Sequence, residues 1–172
     1  MSQRSLSNAP ELMFLEFSQW SPRFDAAFYS IKMEGKELRS SPPDGFAAAG
    51  APPGKDRHPA YYYLITVFRE KEKEVIYRRY SQFRWLYDQI VNYKPPEPTP
   101  EGMPELEPIV MPPKTCPWQK IDDDFAQNRL EELRDFMTSI LIRPGIASHP
   151  AVLQFLELPS TRGTEQQQQQ SS

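Results

Sequence analysis

Two adjacent arginines and a tyrosine, Arg78, Arg79 and Tyr80, are the residues whose chemistry is most evident in the sequence. An arginine side chain carries a permanent charge on a planar fork that can hold two oxygens of one phosphate group. Because successive side chains of a strand point to opposite faces, only one of the two arginines can line a given site directly. By themselves these residues are also consistent with surface arginines at a strand edge.

Other residue types argue against catalysis and against metal binding. The sequence has one cysteine, Cys116, and two histidines, His58 and His149, which are far apart in the chain. This composition excludes an internal disulfide and a metal site built from thiolates. The sequence also lacks a pattern of nucleophile and base and a glycine-rich phosphate loop. We therefore expect no enzyme activity, no metal and no cofactor.

Charge and hydropathy limit the partners of the chain. Its 172 residues suit one domain, and its formal net charge is −3, so any bound phosphate must be held by a few placed cations rather than by bulk charge. The sequence has no basic arm of the kind that binds nucleic acid. It contains no apolar run of the ~20 residues that a membrane span needs and no signal peptide. We expect a cytoplasmic protein, for which any membrane contact must be peripheral.

Three strands are expected to position the arginines. Residues 24–33 alternate in polarity, residues 61–69 are dense in aromatic and β-branched side chains, and residues 75–80 form a third strand after the charged turn 70–74. Such a meander has one apolar face that needs a cover.

Helices supply the cover. The first is expected to be capped by Ser81 and to end before Pro95, the second to begin near the aspartates 122–124 and to stop at Pro144, and the third to begin at Ser148. The fold class is therefore α+β, a three-stranded antiparallel meander packed against a small helical subdomain, with a Pro-rich loop between the first two core helices. The expected inward side chains are Phe83, Leu86, Tyr87, Ile90 and Val91 in the first helix, Ala126, Leu130, Leu133, Met137, Ile140 and Leu141 in the second, and Val152, Phe155 and Leu156 in the third.

Composition divides the chain into three parts. Residues 1–22 form an N-terminal extension with an apolar patch at 12–17, residues 23–159 form the domain, and the Gln-rich tail 160–172 is expected to be disordered. Within the domain, residues 39–60 are rich in Pro, Gly, Ala and Ser and are expected to be a flexible insertion.

Three strands followed by Arg-Arg-Tyr-Ser-x-Phe at a helix start resemble the phox-homology (PX) domain family of sorting nexins and NADPH-oxidase subunits. The apolar run 109–111 leads into Pro112, Pro113 and Lys114, which is similar to a proline and lysine signature of that family. An arginine early in the next helix, Arg129, and the closing segment 144–156 also agree. The resemblance covers residues 24–158.

The resemblance implies a role for four residues in binding phosphatidylinositol 3-phosphate. Arg79 would contact the 3-phosphate, and Arg78 would then be its support or solvated surface. Tyr80 would form the floor beneath the inositol ring, Lys114 would hold the 1-phosphate, and Arg129 would bond the free 4- and 5-hydroxyls. The implied function is a phosphoinositide-binding module that recruits its protein to endosomal membranes.

The loop after Lys114 is implied to enter the bilayer interface through Trp118 and Cys116. Tryptophan suits that location because one end of its ring is apolar and the other is wet. The alternative is that Trp118 packs on the domain. The nearby aspartates 122–124 would repel an anionic membrane unless they face away and cap the helix.

A protein–protein docking module with weak or absent lipid binding is the alternative function. The Pro-rich loops and the N-terminal segment motivate it as surfaces for protein partners. The two functions are compatible with each other.

Overall fold

Three strands followed by three helices form an α+β domain in the computed structural model, as the sequence predicts. The strands are β1 (Ser30–Arg39), β2 (Ala60–Arg69) and β3 (Glu72–Arg78), and the helices are α1 (Tyr80–Ile90), α2 (Asp123–Leu141) and α3 (Pro150–Phe155). The structure describes residues 29–43, 57–69, 72–94, 107–143 and 145–158. The N-terminal extension, the Gln-rich tail and most of the 39–60 insertion lie outside these residues.

The sheet is an antiparallel meander in the order β1-β2-β3. Met33 pairs with Ile65, which pairs in turn with Ile76, so apolar side chains line up across all three strands. The prediction that the first strand ends near Met33 is wrong, because β1 runs on to Arg39. The predicted residues 24–28 of that strand lie outside the described part of the chain.

A bulge in β1 joins the sheet to α2. The register with β2 shifts between Met33 and Gly35. The carbonyl oxygen of Met33 accepts two hydrogen bonds from Arg134 of α2, from Nε at 2.9 Å and from Nη2 at 2.7 Å. Lys36 adds an ion pair to Asp123 at 2.9 Å, so β1 and α2 are held together at two points.

The junction of β3 and α1 differs from the prediction by two residues. The third strand was expected to span 75–80 and Ser81 to cap the helix, but β3 ends at Arg78 and extended Arg79 is the cap. The reason is a reciprocal pair of bonds with Gln82. The Gln82 N–H donates to the Arg79 carbonyl, and Gln82 Oε1 accepts from the Arg79 N–H, each at 3.0 Å. The side-chain amide of Gln82 thus gives a hydrogen-bond partner to a backbone N–H that would otherwise be unpaired at the start of the helix.

The other two helices begin near the predicted residues. Asp122 caps α2 by accepting from the Phe125 N–H at 2.9 Å. The third helix was expected to begin at Ser148, but α3 begins at Pro150 and His149 caps it, since Nδ1 of His149 accepts from the Ala151 N–H at 3.1 Å. Burial lowers the pKa of His149, which keeps that nitrogen an acceptor.

The core lies between the inner face of the sheet and the three helices. Of the predicted inward side chains, Val91 is wrong, because α1 ends at Ile90 and Val91 is exposed. Tyr87 is half-buried, and the remaining predicted side chains are buried. The sheet and the residue before it contribute to this core Tyr29, Ile31, Met33, Tyr63, Ile65, Val67 and Ile76.

Candidate functional site

A groove of about 440 Å³ opens where the ends of β1 and β2 meet the first turns of α1 and α2. Its volume falls within the range of small-ligand pockets. The residues that line the groove are Leu38, Arg57, Pro59, Ala60, Tyr61, Tyr63, Arg79, Tyr80, Ser81, Thr115, Ile121, Phe125 and Arg129.

Arg79 lies in the groove because it follows the last residue of β3 and begins the turn into α1. Its Nη2 donates to the Arg57 carbonyl oxygen at 3.4 Å, and its guanidinium lies 5.9 Å from the ring centroid of Tyr62. The side chain is half-buried. This placement leaves a permanent cation in a partly desolvated wall, where its attraction to an anion is stronger than in bulk water.

Arg78 points away from the groove and is only 2% exposed. Its Nε donates to the Phe155 carbonyl at 2.9 Å, Nη1 to the Tyr77 carbonyl at 2.8 Å, and Nη2 to Glu157 Oε1 at 2.7 Å. Of the two roles expected for Arg78, the structure shows the supporting one. The side chain ties the end of β3 to the end of α3.

Tyr80 forms part of the groove wall and fixes the loop beside it. Its hydroxyl donates to the Pro112 carbonyl at 2.5 Å. The Arg129 guanidinium lies 4.6 Å from the centroid of its ring. The ring is therefore fixed at its hydroxyl end and against the Arg129 guanidinium.

Arg129 of α2 lies next to the inward-facing Leu130 and is itself buried, at 4% exposed. Its Nη1 donates to the Pro113 carbonyl at 2.7 Å and lies 3.7 Å from a carboxylate oxygen of Glu132. The guanidinium also lies 5.1 Å from the Phe125 ring centroid. These contacts fix its position, and the ion pair partly compensates its charge.

Tyr80 and Arg129 therefore hold two consecutive carbonyl groups of the segment 107–122. The Pro112 carbonyl accepts from Tyr80 and the Pro113 carbonyl accepts from Arg129. The segment is anchored at this point to both α1 and α2.

Lys114 is exposed and is not among the residues that line the groove. It follows the anchored Pro113 and precedes Thr115, which does line the groove. Within the described ranges Lys114 forms no ion pair. The structure thus brings Arg79, Tyr80 and Arg129 together and places Lys114 beside them, at the surface.

The tip of the same segment is exposed and partly apolar. Trp118 is 85% exposed, which excludes the alternative that it packs on the domain. Cys116 is also exposed, as are Val110 and Ile121. Of the three nearby aspartates, Asp122 caps α2 and Asp123 pairs with Lys36.

Arg57 and Tyr63 are among the groove residues that were not predicted as site residues from the sequence. Arg57 belonged to the expected flexible insertion, and its only signal was a basic residue shortly before the aromatic strand. Tyr63 was expected in a strand but not in a site. Burial raises the pKa of Tyr63 well above its usual range, and Arg129 only partly offsets this, so Tyr63 is a neutral wall residue at physiological pH.

Within the described residues, no group of three or more His, Cys, Asp or Glu side chains could hold a metal ion. Among the described helices, none has the length and the apolar character needed to cross a bilayer.

A family model described as "PX domain" matches residues 66–159, which is more than half of the chain. No curated protein matches the sequence. Among solved structures, one described as "X-ray structure of a designed CISK-PX domain" is similar at 25% identity and a TM-score of 0.48, covering 73% of this chain and 95% of that one. The family-model match agrees with the resemblance of the motifs, and the chain belongs to the PX domain family.

Proposed function

We propose that this chain is a phosphoinositide-binding module selective for phosphatidylinositol 3-phosphate, and that it recruits its protein to endosomal membranes. The observation that carries the proposal is the convergence of Arg79, Tyr80 and Arg129 on one groove. They come from three different places in the chain, the β3–α1 junction, the first turn of α1 and α2. Membership of the PX domain family supports phosphoinositide binding in general terms.

Arg79 and Arg129 suit different parts of a headgroup. The side chain of Arg79 is partly exposed in the groove, and its charged end suits the 3-phosphate. Arg129 is held by Pro113 and is paired with Glu132 at 3.7 Å. A further phosphate at the 4- or 5-position would approach that carboxylate, whereas a hydroxyl would not be repelled. The pairing therefore supports selectivity for a single phosphate on the ring.

The exposed segment beside the groove suits contact with the bilayer. Lys114 lies at the surface near the groove, where it would hold the 1-phosphate that joins the headgroup to the lipid tails. Trp118 and Cys116 would enter the interface, with Trp118 as the larger apolar contribution. Asp122 and Asp123 are both engaged in protein contacts, which lowers their repulsion of an anionic surface.

Vesicle sedimentation across the phosphoinositides tests the proposal. Wild type should bind vesicles with phosphatidylinositol 3-phosphate and should bind the bisphosphates less tightly. Arg79→Ala should lose this binding by at least tenfold, because a charged hydrogen-bond partner of the phosphate is removed. Arg84→Ala is the matched control, since Arg84 lies on the outer side of α1, pairs with Asp88 and does not line the groove.

Equal binding of wild type and Arg79→Ala would overturn the proposal. Recruitment is tested separately by imaging a fluorescent fusion, which should overlap an endosomal marker and disperse when Arg79 is replaced. The alternative of a docking module was motivated by the extension 1–22 and by Pro-rich segments that lie mostly outside the described residues, so no observation in the structure favours it.

A further inference from the structure

We infer that Arg57 is a second phosphate-binding residue of the groove and holds the same phosphate group as Arg79. The inference rests on the proposed function and adds a residue that neither the motifs nor the predicted site contained. The ligand chemistry is a phosphomonoester on a lipid headgroup.

The first argument is position. Arg57 precedes the start of β2 by three residues and lines the groove with an exposed side chain. Its carbonyl oxygen lies 3.4 Å from Nη2 of Arg79. The Arg57 side chain therefore begins beside the Arg79 guanidinium, on the same wall of the groove, while Arg129 lies over the ring of Tyr80.

The second argument is charge. A phosphomonoester carries about −1.5 to −2 charges at neutral pH, more than one arginine neutralises. Arg129 is already paired with Glu132. Among the residues that the structure describes, the side chain of Arg57 has no carboxylate partner, so its charge is available to an anion. A second arginine beside the first is thus the nearest source of the missing positive charge.

The third argument is local order around Arg57. The next residue, His58, has Nε2 at 2.9 Å from the hydroxyl of Tyr62, and the two rings stack with centroids 5.9 Å apart. Tyr62 is fully buried in β2. The backbone at Arg57 is therefore held next to the sheet, which limits the entropy lost when its side chain closes on a ligand.

The test measures binding of a water-soluble short-chain phosphatidylinositol 3-phosphate by calorimetry, with vesicles as a second format. Arg57→Ala should weaken binding about tenfold, the size expected for losing one charged hydrogen bond. Arg69→Ala is the matched control. Arg69 ends β2, pairs with Glu72 at 3.8 Å and lies about 30 Å along the strand from Ala60. It should bind like wild type.

A shared phosphate predicts that the two arginines are coupled. In an Arg79→Lys background, the loss caused by Arg57→Ala should shrink to about threefold or less, because the phosphate is no longer held in the same geometry. If the losses of binding free energy caused by Arg57→Ala and Arg79→Lys add fully in the double variant, the shared phosphate is overturned. Unchanged binding by Arg57→Ala would overturn the inference while leaving the proposed function intact, whereas absence of binding by wild type would overturn both.

Two further binding measurements identify the source of the phosphate. Vesicles with phosphatidylserine but no phosphoinositide should bind wild type and Arg57→Ala equally. A parallel loss on those vesicles would show general attraction to anionic membranes and overturn the inference. Inorganic phosphate should compete only weakly, and competition as strong as that of the soluble lipid would reassign the site to free phosphate and overturn the lipid assignment.

Discussion

Replacing Trp118 by alanine is expected to weaken membrane attachment without changing the domain itself. The side chain is 85% exposed, so it contributes little to the free energy of unfolding. If the indole buries about 100 Å² of apolar surface in the bilayer interface, the gain is about 2.5 kcal/mol. That corresponds to a loss of about 60-fold in vesicle affinity for Trp118→Ala.

Three measurements separate this effect from its alternatives. Sedimentation with vesicles containing phosphatidylinositol 3-phosphate should show the 60-fold loss estimated from apolar burial. Calorimetry with the water-soluble short-chain lipid should give wild-type affinity, because Trp118 does not line the groove. Urea unfolding should give a free energy within about 0.5 kcal/mol of wild type.

The control is Ile142→Ala. Ile142 is another exposed apolar side chain, but it follows the last residue of α2, about 27 Å along that helix from the loop. Its replacement should leave vesicle affinity unchanged. The reasoning fails if Trp118→Ala binds vesicles like wild type, or if it weakens binding of the soluble lipid as much as binding of vesicles.

Two further predictions concern stability. Arg78→Met should lower the free energy of unfolding by about 3 kcal/mol in urea, at the lower end for a broken buried ion pair because the Glu157 side chain is still 30% exposed. Arg79→Met should cost much less, and equal losses would contradict the structural role of Arg78. His149 has its pKa lowered by burial, so the unfolded state binds more protons and stability should fall as the pH drops below about 6.5. His149→Asn keeps a capping side chain and should show a smaller fall between pH 7 and pH 5, and an unchanged pH dependence would contradict this cause.

Periodicity was sufficient to predict the sheet and the long helix. Of the residues 24–33 that alternate in polarity, Tyr29, Ile31 and Met33 are buried, and the side chains of α2 that were expected to face inward are buried as well. The same alternation predicts that only one of Arg78 and Arg79 enters the groove. These features depend on residues that are close together in the sequence, and a sequence pattern records such residues directly.

Features that depend on which hydrogen-bond partner a residue takes could not be predicted in the same way. The cap at Arg79 depends on the Gln82 amide turning back to it, a choice that the residue types alone leave open. The burial of Arg129 depends on its hydrogen bond to Pro113, a residue of the long connection between α1 and α2. The place of Arg57 depends on where the 39–60 insertion rejoins the sheet, and its composition gives no sign of that point.

The anchoring of Pro112 and Pro113 has a mechanical consequence. Proline rings restrict the backbone at both positions, so the chain that continues toward Trp118 leaves the groove from a fixed base. The hydrogen bonds at this base come from Tyr80 and Arg129, both of which line the groove. Under the proposed function, a pull on a protein attached to a membrane through this loop would be transmitted to side chains of the headgroup site. Load on the proposed membrane contact and the lifetime of the bound lipid would in this way be linked through two carbonyl groups.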